Sequence, residues 1–173
     1  MKAFTIYQPY GYAIIAGLKL NETRPRRTNI RGRVAVHAGK KRFNKGGFQE
    51  QLIAEMAYGK ILEKEYERGV EHLKQATELI YGAVLGTVEI VDCVPVEEIM
   101  HTLTERERAL GDYSPGRFAW VLRNPIMFEK PIPARGQQGW WNWPFVVLDL
   151  PAAMGPTESF YERIARELER NAK

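Results

Sequence analysis

The sequence predicts an α+β fold in which six short strands build a small, partly open β-barrel with helices around it. Three observations lead there. Six segments are apolar or alternating, rich in β-branched and aromatic residues, and bounded by turn residues. The helical stretches between them differ in length, so the regular strand–helix alternation of a doubly wound parallel sheet is missing. The chain is 45% hydrophobic and 27% charged, the balance of a soluble globular protein.

Taken in order, AFTIY (3–7) alternates and predicts the first strand. GYAIIAG (11–17) predicts a short apolar helix that ends at Gly17, where glycine tolerates the left-handed conformation. GRVAVHAG predicts a strand over 33–37, with Val34 and Val36 on one face and Arg33, Ala35 and His37 on the other. Between 48 and 80, Leu52, Ile53, Met56, Leu62, Tyr66, Val70 and Leu73 recur at helical spacing, which predicts a two-helix insertion broken near Gly59. A long strand follows over 83–93. Thr104 and Glu107 form a capping box before a short helix, and GDYSPG is turn chemistry. Strands are then expected at 117–122, 126–131 and 145–149. Ser159 with Glu162 opens a last helix, through about Glu169. With 173 residues, and neither a repeat nor a linker, the chain reads as a single domain, 1–173.

Several functions are excluded early. No apolar run approaches the roughly 20 residues of a membrane span, so no membrane partner is expected. The N-terminus lacks the apolar core of a secretion signal, which predicts a cytoplasmic protein. The single cysteine, Cys93, rules out an internal disulfide and reads as a small buried hydrophobe. The chain contains none of the glycine-rich nucleotide loops, no nucleophile-elbow serine and no zincin histidine pair. His37, His72 and His101 are far apart, so neither metal nor cofactor is expected. His37 alone stands out, because it ends a strand inside a basic segment.

That segment carries the charge signal. Between Lys19 and Arg42 lie nine cations and one acid, Glu22, a local +8 in a chain whose total is +4. The remainder is therefore net −4. A basic stretch on an acidic body predicts an anionic partner, with a polyphosphate chain as the commonest kind. A solvated basic face with no partner is the competing explanation.

Within it, GLKLNETR places Gly17, Lys19, Glu22 and Arg24 at the spacing of a G-x-K-x-x-E-x-R signature. With QP after the first strand, RG before the next strand, HAGK at its end, and the later SPGRFAWVL and GQQGWW, the sequence resembles the ASCH domain family, relatives of PUA and EVE domains. The resemblance implies a PUA-like barrel with a cleft in which the signature residues line a site for RNA or for a nucleobase or nucleoside. Lys19 and Arg24 suit phosphates or base carbonyls. Glu22 suits an exocyclic amine, or holds Arg24 in place. The expected ligand-binding set is Tyr12, Lys19, Glu22, Arg24, Arg26, Arg27, Arg31, His37, Lys40, Arg117, Trp120 and Gln138. A turn after the helix would aim the signature residues together, with an aromatic ring from Tyr12, Trp120 or the 137–141 loop, since unpaired bases are read by stacking and edge hydrogen bonds.

Two classes of function fit: a module that binds RNA or a modified nucleoside, and an enzyme acting on one. Some ASCH-like proteins are similar to amidohydrolases of acylated cytidine that use a lysine and a threonine three residues later. Here Lys19 is followed at that spacing by Glu22, with Thr23 next to it. Other members resemble ribonucleases. Lys19 and Glu22 are the candidate catalytic residues. Glu22, flanked by two cations, suits accepting hydrogen bonds better than abstracting a proton, and Lys19 beside Arg24 is the alternative base. The oligomeric state is left open.

Overall fold

The computed structural model describes residues 1–42 and 79–145. The elements are β1 (Lys2–Ile6), α1 (Tyr10–Ile15), β2 (Asn21–Arg24), β3 (Gly32–Ala38), β4 (Ala83–Pro95), α2 (Val96–Ile99), a 3-10 turn (Met100–Thr102), α3 (Glu105–Ala109), β5 (Phe118–Pro133) and β6 (Trp140–Asn142). The six strands make one mixed sheet in the order β2-β5-β4-β3-β1-β6. Only β1 and β3 pair in parallel. The sheet is curled into a half-barrel. Although β2 and β1 are four places apart in the strand order, Arg24 Nη2 on β2 donates to Thr5 O on β1 at 3.1 Å.

Burial follows the alternation read from the sequence. Val34 and Val36 join Phe4, Ile6, Leu85 and Ile90 in the larger core, which α1 covers with Ala13, Ile14 and Ile15. Ala35 falls in a second cluster on the opposite face with Ala3, Val84, Phe128, Ile132, Trp141 and Trp143. Each large aliphatic or aromatic side chain buried in this way contributes about 1.5–3 kcal/mol. Cys93 is fully buried, and its Sγ accepts from Thr28 N at 3.4 Å.

Three expectations change. The strands expected at 117–122 and 126–131 are one continuous β5. Asn124 and Pro125, which read as a break, form a bulge: Glu89 faces Arg123 and Thr87 faces Ile126, so β5 carries one more residue than β4 there. Asn124 adopts φ +50°, and Pro125 has no N–H to offer the ladder; both are tolerated at a bulge. The signature is not a turn after a helix, because its second half is β2. Trp140–Asn142, expected as loop, pairs with β1 as β6. The 48–80 insertion, the 145–149 strand and the Ser159 helix fall almost wholly outside the described residues. Among those described, no helix is long and apolar enough to cross a membrane.

Candidate functional site

The site begins at the end of α1. Gly17 takes φ +75°, Gly17 N donates to Ile14 O, and Leu18 N donates to Ala13 O, which together make a Schellman turn. Lys19 N also donates to Ala13 O, at 3.0 Å, so the Lys19 backbone is fixed as the chain leaves the helix. The next residues are held from another element. Thr104 caps α3, its Oγ1 accepting from Glu107 N as the sequence predicts. The Glu107 carboxylate does not complete the capping box. It turns inward and accepts from Leu20 N, Asn21 N, Asn21 Nδ2 and the Tyr113 hydroxyl. Burial first, then the negative charge of Glu107, raises the Tyr113 phenol above its ordinary range.

Because β2 is a strand, Glu22 and Arg24 share one face. Lys19 reaches them from the preceding turn. Its side chain is buried to 2% exposure; Nζ donates to Leu110 O at 2.7 Å and lies 3.5 Å from Glu22 Oε2. Glu22, 6% exposed, has its other oxygen 2.8 Å from Arg24 Nε. Arg24 Nε makes that contact out of hydrogen-bond alignment, so it is an ion pair only. The guanidinium lies 5.5 Å from the centroid of the Trp120 ring.

These three side chains line one open cleft of about 1060 Å³ together with His37, Lys40, Arg117 and Gln138 from the expected set. Arg117 pairs with Asp112 at 3.2 Å and donates to Thr23 O. Ser114, through its hydroxyl and amide, and then Arg117 hold the Asp112 carboxyl below its ordinary value. The structure does not bring Tyr12, Arg26, Arg27, Arg31 or Trp120 to the cleft lining. Tyr12 is in the core, and Trp120 is buried, stacked on Trp140 at 4.9 Å with Phe4 edge-on. Arg26 and Arg27 are exposed elsewhere, and Arg31 pairs with Asp92 at 3.0 Å.

The aromatic rings that do line the cleft are Tyr7 and Tyr10. Tyr7 is 58% exposed, with Lys41 Nζ 5.3 Å from its ring centroid. Sequence reasoning counts Tyr10 among the flat aromatic surfaces but passes over Tyr7, although QP is flanked by the two. It pairs Gln137 with Gln138 as able to hydrogen-bond a base edge but misses Arg135; Arg135 and Gln137 both line the cleft from the loop between β5 and β6. Glu107 carries only its capping signal, since nothing local points to partners 86 and 87 residues away.

His37 anchors that loop. Its Nε2 lies 3.1 Å from Ala134 O, and a carbonyl only accepts, so Nε2 carries a proton. Its Nδ1 lies 3.2 Å from Thr5 Oγ1, which also receives Trp141 Nε1–H and donates to Gln137 O at 2.9 Å. Gly136 lies flat on the imidazole, and a Cβ there would overlap the ring. Burial lowers the His37 pKa below its ordinary value; Lys40 adds to this and the Ala134 carbonyl opposes it.

The family model described as ASCH domain matches residues 4–132. The ASCH protein of Zymomonas mobilis is similar in structure, with 12% identity, 95% of this chain and 93% of that chain covered, and a TM-score of 0.45. A tyrosine-to-phenylalanine mutant of the same bacterial protein gives 13% identity, 95% and 96% coverage, and a TM-score of 0.45. No curated protein matches the chain. With a family match over residues 4–132 and a half-barrel built around the signature strand, this chain belongs to the ASCH domain family, within the PUA-like fold.

Proposed function

We propose that this domain binds a nucleobase in the cleft, presented by single-stranded RNA or by a nucleoside. The observation that carries the reading is Glu22, a buried carboxylate on the cleft lining held between Lys19 and Arg24. Lysine is almost never buried to this degree unless paired. Buried ion pairs are a poor route to stability, because desolvation of the charges offsets their attraction. A recognition role accounts for the arrangement better. A carboxylate has about four lone-pair directions, so Glu22 can accept from a base amine while it holds both cations. Arg24 beside it supplies donors for a ring nitrogen or carbonyl. An acceptor next to a donor matches a base edge, and the exposed Tyr7 ring offers a stacking face.

Binding is favoured over turnover by what Lys19 is doing. Its Nζ is engaged by Leu110 O and faces Glu22, which suits a group that positions the carboxylate rather than a free base. Thr23 Oγ1, next to Glu22 in sequence, accepts from Asp112 N.

The test is calorimetric titration with a nucleoside panel and short single-stranded RNAs, native protein against Glu22→Gln. The isosteric amide removes a charge-assisted hydrogen bond of about 1.5–3 kcal/mol, so affinity should fall roughly 10- to 100-fold. Equal affinity in the variant would sink the reading. Release of acetate from acylated cytidine, or cleavage of RNA, by the native protein and not by Lys19→Ala would replace binding with catalysis.

A further inference from the structure

The charges of the cleft are unevenly compensated. Lys19 and Arg24 share Glu22, and Arg117 has Asp112. Lys40 and Arg135, which line the same cleft, have no ion-pair or hydrogen-bond partner among the described residues. Gly82 brings their two chain segments together. The stem of Lys40 lies across Gly82, so that a Cβ at Gly82 would be 3.2 Å from Lys40 Cγ. The carbonyl of Gly82 accepts from Ala134 N at 3.0 Å, which brings the residue before Arg135 to the same glycine. The loop continues through residues 136–139, whose amides donate to no acceptor among the described residues. The cleft thus has a compensated end at β2, built for a polar but nearly neutral edge. Its other end, where β3 finishes, carries two cations and a run of N–H groups that have no partner among the described residues.

We infer that Lys40 and Arg135, with the amides of residues 136–139, form a phosphate subsite, so that the ligand is a phosphorylated nucleotide, the repeating unit of RNA, and not a free nucleoside. This rests on the reading of the β2 end as a nucleobase site. A phosphate monoester carries a charge of about −1.5 to −2 at neutral pH and three acceptor oxygens. Arg135 supplies a planar fork of donors, Lys40 a point charge, and backbone amides the remaining donors; these are the groups that phosphate oxygens take. The anion would convert a repulsive pair of cations into a compensated one, and the adjoining base would extend toward Glu22 and Arg24.

The experiment uses the full chain, isotopically labelled. Amide shifts are followed during titration with inorganic phosphate alone, with the four common nucleosides, and with their 3′- and 5′-monophosphates. Affinities are measured in parallel by calorimetry. Inorganic phosphate should shift the amides of Gly39, Lys40 and residues 134–139 saturably. One of each pair of monophosphates should bind about tenfold or more tighter than its nucleoside. The double variant Lys40→Ala, Arg135→Ala should abolish that gain, so that each monophosphate binds no tighter than its nucleoside; both residues are exposed, so its amide spectrum should remain that of the folded protein. A phosphate response spread equally over Arg26 and Arg27, or a nucleotide preference that survives in the double variant, would overturn the subsite. Nucleoside binding without phosphate binding would overturn the subsite and keep the nucleobase reading. Saturable phosphate binding at residues 134–139 without nucleoside binding would overturn the nucleobase reading and keep the subsite.

Discussion

His37 shows what one residue can couple. Its Nε2–H is committed to Ala134 O, so in the neutral form Nδ1 can only accept. The Thr5 hydroxyl has one proton and two claimants, Nδ1 and Gln137 O. An unfolded histidine takes up its proton near pH 6.5. His37 in the fold does so only at lower pH, because burial and Lys40 disfavour the charge. As pH falls below about 6.5 the unfolded state therefore binds more protons than the folded one, and stability declines until His37 itself protonates. Urea midpoints measured between about pH 7.5 and 5 should fall on the acid side. His37→Gln should flatten that part of the curve; an unchanged slope in the variant would assign the effect to other groups. Single site residues are legible in the sequence where spacing is strict. Lys19, Glu22 and Arg24 can be read there from the spacing of the signature, though as a turn and not as the strand that puts Glu22 and Arg24 on one face. Tyr7 and Arg135 cannot, since their place depends on how far the sheet curls.

Among the elements, β2 is the one whose conformation is imposed from outside. Asn-Glu-Thr-Arg has no apolar alternation and little strand preference, and by its own residues it reads as a turn. It is a strand because it pairs with β5, Glu22 opposite Trp120, and because Glu107 holds its first amides. All four groups that meet the Glu107 carboxylate are donors: Leu20 N, Asn21 N, Asn21 Nδ2 and the Tyr113 hydroxyl. In Glu107→Gln an amide NH₂ would face them, leaving buried donors opposed. The expected destabilisation is about 2–4 kcal/mol in chemical denaturation, with weakened ligand binding, since Lys19 and Glu22 flank the affected amides. Full stability in that variant would show that β5 alone fixes β2. In sequence β5 itself reads as two strands for a local reason: Asn-Pro is turn chemistry nearly everywhere, and only the neighbouring β4 makes it a bulge.

For the molecule as a whole, the net +8 of the Lys19–Arg42 run overstates the field available to a partner. Lys19 and Arg24 pair with Glu22, Arg31 with Asp92 and Arg33 with Glu89. The last two acids come from β4, distant in sequence and adjacent in the sheet. Arg26 and Arg27 are exposed and lie off the cleft. In the proposed function their part is long-range attraction of a phosphate chain that passes beyond the site. Their joint replacement by alanine should weaken single-stranded RNA binding alike for all sequences. The slope of log K against log salt should fall by about 0.7 for each phosphate no longer neutralised. Adding Arg31→Ala should change the slope little more, because its charge is already matched. An effect confined to particular sequences would instead place these arginines at base edges.

Arg24 is at once part of the cleft lining and the stitch from β2 to the backbone of β1, through Thr5 O. A ligand that recruits the same guanidinium must either share it or take it. If shared, the occupied protein breathes less, and the amides of β1 and β2 exchange with solvent more slowly than in the empty protein. If taken, the seam loosens as the cleft fills, and the edge of the half-barrel gains motion at the moment of capture. Occupancy and the rigidity of the sheet's open edge are therefore a single variable, set by where one side chain spends its hydrogen bonds.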